Sequence, residues 1–399
     1  MYSIKELFKI GNGPSSSHTI GPKEAAKEFK RRYPDCDKAV CKLYGSLALT
    51  GKGHLTDYII VDEMMPIPCE IEFDIETTQP HPNTLILCGY KNNELIATMK
   101  VYSVGGGAIK IEGDPERQMD KIYPLKKFKD IALYCKDYKL RLCDYVDMIE
   151  GECITEYIEK IYDVMNKAID RGISATGLLP GKLHIKRKAN YLYYQKTPKD
   201  MENMEYRRRK LVSYAYAVSE ENASGGEIVT APTCGASGIL PACMRYAEDT
   251  KRFSHEDIIR GLKVAALIGN IVKENGSISG AEAGCQAEVG TACSMAAAFL
   301  VEIQNGSLEQ IESAAEIALE HHLGLTCDPI EGYVQIPCIE RNAVAALRAV
   351  DAANLSSYLN NSDSKISFDL VVETMLDTGK DLCYRYRETS EGGLAKKYK

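Results

Sequence analysis

Near Tyr145 the sequence changes texture, and that change limits the folds open to the chain. Upstream, Cys69, Ile71, Phe73 and Ile75 alternate with Glu70, Glu72, Asp74 and Glu76, the period-two pattern of a strand with one buried and one solvated face. Two further apolar runs, 84–90 and 95–104, flank Lys91–Asn92–Asn93–Glu94, residues suited to a tight turn, which predicts a hairpin. It ends in Gly105–Gly106–Gly107, where the lack of side chains lets the backbone bend sharply or approach a ligand. Downstream, helical periods rich in Ala, Leu, Ile and Glu dominate. Ser254 followed by Asp257, and Ser307 followed by Gln310, each precede such a run as helix N-caps do, the second fitting the fuller capping box. The expected fold class is an α+β N-terminal domain, 1–128, followed by a mostly α-helical domain, 129–399. The charged, apolar-poor stretch 114–137 carries the linker, and at ~150 residues per domain the length fits two or three units.

Charge excludes one class of partner. Lys and Arg number 49 against 56 Asp and Glu, a net of −7, and no dense basic stripe interrupts that balance, so nucleic acid is not an expected ligand. The most apolar stretches, 259–272 and 292–301, are charged or too short to cross a bilayer. The start, MYSIKELFKIGNG, lacks a signal peptide's apolar core and cleavage site. The expectation is a cytoplasmic protein with no membrane partner.

In a reducing compartment, 14 cysteines should mostly be buried thiols, with a minority that react or bind metal. Cys285 in SGAEAGCQAEVG, Cys327 in GLTCDPIEG and Cys338 in YVQIPCIERN stand out, because each sits at a loop-to-element junction, the first after a Gly/Ser-rich stretch, the second before Asp-Pro and the third after Pro337. Such junctions hold a thiolate near turned backbone N–H groups and near the positive end of a following helix. Their intervals of 42 and 11 residues contain no C-x2-C clip, and three thiolates held this way suit an iron–sulfur cluster better than four-ligand structural zinc. If 286–304 is a helix, Cys293 lies ~12 Å from Cys285 along its axis, too far to share a cluster, and is assigned to packing.

Three further groups carry polar chemistry. GNGPSSSHTIGP, residues 11–22, sets Ser16, Ser17 and Thr19 around His18 between Gly–Pro brackets, a loop able to surround a small zwitterion ahead of a helix starting near Lys23. His18 is the group there able to move a proton at neutral pH. TGKGHLTD supplies Lys52 and His54, and QPHPN supplies His81 and Asn83; His184, His255, His321 and His322 read as ordinary surface or core residues. NASGGEIVTAPTCGASGILP, residues 222–241, reads as a long polar loop in which Asn222, Ser224, Thr233 and Ser237 can meet a carboxylate or amino group.

Taken in order, SSSHT, YGSLALTGKGHLTD, HPN, YSVGGGA, SEENASGG, APTCGASG, GAEAGCQAEVG, CDPIEGYVQIPCIERNA and RETSEGGLA resemble the iron–sulfur-dependent L-serine dehydratases in their single-chain form, from Ile4 to Gly393. The resemblance implies a β domain carrying SSSHT and a helical α domain carrying a [4Fe–4S] cluster on Cys285, Cys327 and Cys338. It implies β-elimination of water from L-serine, giving pyruvate and ammonia through 2-aminoacrylate without pyridoxal phosphate. No lysine stands in a recognisable Schiff-base setting. Within this scheme His18 is the first choice of base and His81 the second, with Ser16, Ser17, Thr19, Lys52, His54, Asn83, Asn222, Ser224 and Thr233 as substrate-binding candidates. The site is expected between the domains, and a homodimer is the expected assembly.

Overall fold

The chain begins inside the helical body. Met1, Ile4, Leu7 and Phe8 are all buried in its apolar core, and the Met1 amino group donates to the Tyr123 carbonyl at 2.8 Å. In this computed structural model, which describes residues 1–115, 120–196, 204–250, 252–359 and 364–398, a short ribbon then ties the chain in further. Strand β1 (Ile10–Asn12) pairs antiparallel with a strand from the 222–241 segment, Ile10 opposite Val229. Only after this does the chain leave to build its sheet.

That sheet has five strands: β2 (Lys38–Tyr44), β3 (Cys69–Asp74), β4 (Thr84–Lys91), β5 (Glu94–Gly105) and β6 (Ala108–Ile111), with β7 (Glu227–Val229) as the partner of β1. The order is β3-β2-β4-β5-β6, with β2 and β3 parallel and the remaining pairs antiparallel. The expected hairpin is β4–β5: Asn92 and Asn93 both take positive φ (53° and 66°), the two-residue turn whose twist matches its strands. The glycine triplet, all three at positive φ, turns β5 into β6. Helices Gly21–Arg32 and Thr56–Met64 cover one face, where Ala25, Phe29, Ile60 and Met64 meet Cys41, Leu43, Leu85 and Met99. The other face carries Lys38–Glu70, Lys42–Glu72 and Lys100–Glu112 ion pairs. Strand β3 lies at the edge, so its alternating side chains are half-buried rather than fully so.

The last strand of the sheet ends at Ile111 and the next helix begins at Phe128; residues 116–119 of the expected linker lie outside the described residues. Beyond it the fold is helical. Thr291–Ile303 is buried along its whole length, and its Ala and Ser residues let the helices His255–Asn275, Leu308–Glu320 and Cys338–Tyr358 approach closely. Both expected N-caps form; Ser307 with Gln310 makes the expected capping box, and Ser254 with Asp257, read only as an N-cap, closes one as well. The segment 222–241, read as one polar loop, contains β7 and the start of the helix Ile239–Asp249.

Candidate active site

The first wall of the site is built from the SSSHT loop. Ser16–Ile20 forms one wide helical turn that runs directly into Gly21–Arg32, with the Ser15 hydroxyl accepting from the His18 N–H. His18 is fully buried, and both ring nitrogens meet hydroxyls at 2.9 Å, Nδ1 at Ser17 and Nε2 at Ser46. Beside it, 4.4 Å between ring centroids, stands His54. Two threonines cross-tie the loops: the Thr19 hydroxyl donates to the His54 carbonyl at 2.8 Å, and Thr56 donates to that of His18 at 2.6 Å. His54 Nδ1 lies 3.0 Å from the Thr50 carbonyl, so that nitrogen carries the proton and Nε2 holds a lone pair with no hydrogen-bond partner. Burial lowers the His54 pKa to about 4, with the Thr50 hydrogen bond opposing it; burial and then the His54 charge push His18 well below the usual range. Both imidazoles are therefore neutral at pH 7.

The facing wall comes from the helical body. Cys285 immediately precedes the wide turn Gln286–Gly290, and Cys338 opens the helix Cys338–Tyr358. Cys327 is gripped by a returning C-terminal segment: its N–H donates to the Tyr386 carbonyl at 2.8 Å and its carbonyl accepts from the Glu388 N–H at 2.9 Å. The three thiols, all buried, line one cavity together with Pro14, Ser15, His54, Glu288 and Glu388. Sulfur atoms of Cys285 and Cys327 and a Glu288 carboxylate oxygen all lie within 4.8 Å of one another. A hydrogen bond with Cys285, then burial, pushes the Cys327 thiol well up; burial, then the Cys285 charge, does the same to Cys338. Arg341 supplies positive charge beside them: though burial opposes its charge, Cys285, Cys338 and Asp328 hold it firmly protonated, and it pairs with Asp328 at 3.0 Å. Three converging soft donors with an adjacent guanidinium fit an iron–sulfur ligand set. Cys293 points elsewhere, its thiol toward the Ala345 carbonyl.

The two walls close against each other at a pair of glycines. A Cβ on Gly53 would come within 2.8 Å of the Gly332 backbone, so the loop before His54 packs directly on the loop after Cys327.

Of the residues singled out in the sequence, His54, Cys285, Cys327 and Cys338 line the cavity. Ser16, Ser17, His18 and Thr19 form the buried layer behind it. Thr233 donates to Glu288 at 2.7 Å, and Asn222 donates to the Pro14 carbonyl at 2.9 Å, fixing the start of the SSSHT loop. Ser237 is buried. Lys52 is exposed with its ammonium over the Phe73 ring, Ser224 is engaged by Arg187 and the Glu220 carbonyl, and half-buried His81 accepts from the buried Asn83 N–H. Three lining residues lie inside motifs quoted from the sequence without being singled out there as site residues: Ser15 in SSSHT, Glu288 in GAEAGCQAEVG and Glu388 in RETSEGGLA. The last two are single acids whose importance depends on contacts across long stretches of chain.

The serine dehydratase alpha chain family model matches residues 54–395, and the serine dehydratase beta chain model matches residues 3–67. L-serine dehydratase TdcG of Escherichia coli is 40% identical over 99% of each chain. L-serine dehydratase 2 of the same organism is 39% identical over 100% of this chain and 99% of its own, and the L-serine dehydratase of Streptomyces coelicolor 38% identical over 98% of each.

Proposed function

The chain belongs to the L-serine dehydratase family, with the alpha-chain and beta-chain parts in one polypeptide, and on that premise we propose that it converts L-serine into pyruvate and ammonia in the cavity between the SSSHT loop and the three cysteines. The observation that carries this reading is the convergence of Cys285, Cys327 and Cys338, from three separate stretches of chain, on a cavity whose opposite side is His54.

In this proposal the three thiolates hold a [4Fe–4S] cluster. When bound, such a cluster supplies an iron with an open position, a Lewis acid toward the departing β-hydroxyl. The protein's own part is proton transfer and orientation. Losing hydroxide from the β-carbon requires removal of the α-proton, and His54 Nε2 is the base best supported: neutral, facing the cavity, with its lone pair unengaged and its tautomer set by the Thr50 carbonyl. His18, the first choice from sequence, has both nitrogens on serine hydroxyls and is assigned to holding the loop, with Ser17 and Ser46. His81, the second choice, is assigned to the β4 approach beside Asn83. Elimination leaves 2-aminoacrylate, whose imine tautomer hydrolyses to pyruvate and ammonia. We extend the proposal to a cytoplasmic homodimer; among the described residues no helix is long and apolar enough to cross a membrane.

The test is anaerobic purification, quantification of iron and acid-labile sulfide, and pyruvate formation from L-serine, L-cysteine and L-threonine. Iron, sulfide and a preference for serine are expected; zinc without sulfide, or a strong preference for cysteine, overturns the reading.

A further inference from the structure

Glu388 is anchored through its backbone to both walls of the cavity. It takes a left-handed backbone conformation (φ 58°), one that a side-chain-bearing residue adopts only when its surroundings enforce it. Those surroundings are the two walls of the site. Its N–H donates to the Cys327 carbonyl at 2.9 Å, and its carbonyl accepts from the Ser46 hydroxyl at 3.3 Å. Two residues on, the Ser390 hydroxyl donates to the Pro329 carbonyl at 2.6 Å. The result is a buried carboxyl group whose Oε1 lies 3.8 Å from His18 Nδ1 and 4.0 Å from His54 Nε2.

At 4.0 Å the carboxyl is beyond hydrogen-bonding distance of His54, so it does not orient that ring; the Thr50 carbonyl already does. The spacing suits something else. In an amino acid the α-proton and the ammonium group leave the same carbon, with the nitrogen ~1.5 Å away. A base ~3 Å from the α-carbon and a carboxylate ~3 Å from the nitrogen must then stand only a few ångströms apart on one side of the substrate. Glu388 and His54 have that separation. The other cavity acid, Glu288, receives the Thr233 hydroxyl and lies against the Cys285 and Cys327 sulfurs, on the side of the leaving group.

Resting on the dehydratase reading above, we infer that Glu388 is the substrate-binding residue for the α-ammonium group, the contact that makes the enzyme select 2-amino acids over hydroxy acids of the same skeleton. The ammonium supplies the opposite charge that a carboxylate in so enclosed a place requires.

The experiment compares L-serine with 3-hydroxypropanoate, which keeps the carboxylate and β-hydroxyl and lacks the ammonium, on anaerobically prepared full-length protein. Glu388→Gln should retain parental iron and sulfide, lose about 100-fold or more in kcat/KM for L-serine, and leave the inhibition constant of 3-hydroxypropanoate within about threefold. Should glutamine disturb cluster assembly, Glu388→Asp keeps the charge and withdraws it by one methylene; KM for serine should rise while the 3-hydroxypropanoate constant holds. Equal weakening of both ligands, or unchanged kcat/KM in a variant with intact iron, overturns the assignment, as does a collapse of serine discrimination in Glu288→Gln instead. Failure of the parent itself to form pyruvate sinks the dehydratase reading, and is scored first.

Discussion

Of the cysteines, Cys285, Cys327 and Cys338 face the histidine wall, and the energetic logic of that arrangement is lopsided. Uncharged, the thiols are stabilised by burial; ionised, they repel one another and need a cation to exist together. Replacing any one by serine removes a soft donor, so Cys285→Ser, Cys327→Ser and Cys338→Ser should each lower bound iron and abolish turnover. Cys293→Ser, at a buried position outside the cavity, should bind iron as the parent does, which anaerobic metal analysis and the visible absorption of the purified proteins will register. His54 offers an independent check. Removal of a general base typically costs 10²–10⁴-fold, so His54→Ala should lose turnover on that scale while retaining its iron. His18→Asn, which preserves hydrogen-bonding capacity at Ser17 or Ser46, should lose less; single-turnover kinetics that rank the two variants the other way would return the base to His18.

At the scale of elements, strong local signals were readable and tertiary ones were not. The β4–β5 hairpin, both helix N-caps and the Ser307–Gln310 capping box declare themselves because each depends on neighbours within four residues. Strands β1 and β7 have three residues each, too few for periodicity, and exist because each supplies the other's ladder across more than two hundred residues. Strand β2, KAVCKLY, is obscured because it is central: helices cover one face, while its lysines pair with β3 glutamates on the other. Glu388 stands in the quoted motif RETSEGGLA, but its place in the cavity was not readable, since its partners Ser46 and Cys327 come from distant segments. Another such contact governs pH dependence. Glu220, buried near the end of the helix Met204–Ala223, accepts the Lys188 N–H at 2.6 Å where the helix Ala189–Tyr194 begins. Burial raises its pKa to about 7 against those backbone hydrogen bonds. A carboxyl group whose folded pKa lies above its unfolded value binds more protons when folded, so its contribution is favourable below the unfolded pKa and is lost as pH rises through the folded one. From pH 5 to pH 8 that loss is roughly 2 kcal/mol at ~1.4 kcal/mol per unit. Glu220→Gln keeps the acceptor and removes the titration, so it should be more stable than the parent at pH 8 and similar at pH 5, as denaturant melts at the two values will reveal.

Considered whole, the molecule places its SSSHT loop by anchoring both ends of the segment that carries it. Residues 1–12 are sewn into the helical body, by four buried side chains and by the β1–β7 ribbon, before the SSSHT loop emerges; Gly53 then brings the second histidine loop back against Gly332. The sheet alone is therefore not what positions His18 and His54. This arrangement bears on the division proposed near residue 128, because the N-terminal residues through Ile20 belong to the core of the helical body while the sheet and its helices keep a core of their own. Full burial of one large apolar side chain is worth ~1.5–3 kcal/mol, so losing Met1, Ile4, Leu7 and Phe8 removes roughly 6–12 kcal/mol, comparable to the whole stability of an ordinary domain. Deleting residues 2–9, which removes Ile4, Leu7 and Phe8 and pulls Met1 out of its place, should accordingly abolish the cooperative unfolding transition of the helical body and its iron binding, although the deletion lies far from all three cysteines in sequence. A milder cut separates anchoring from folding: Leu7→Ala leaves a cavity costing ~2–5 kcal/mol, so the protein should still fold but melt at lower denaturant concentration. If the deletion variant instead unfolds cooperatively with parental iron content, residues 2–9 are dispensable to the body, and the β1–β7 ribbon, the Asn222–Pro14 hydrogen bond, the Gly53–Gly332 contact and the threonine cross-ties suffice to position the loop.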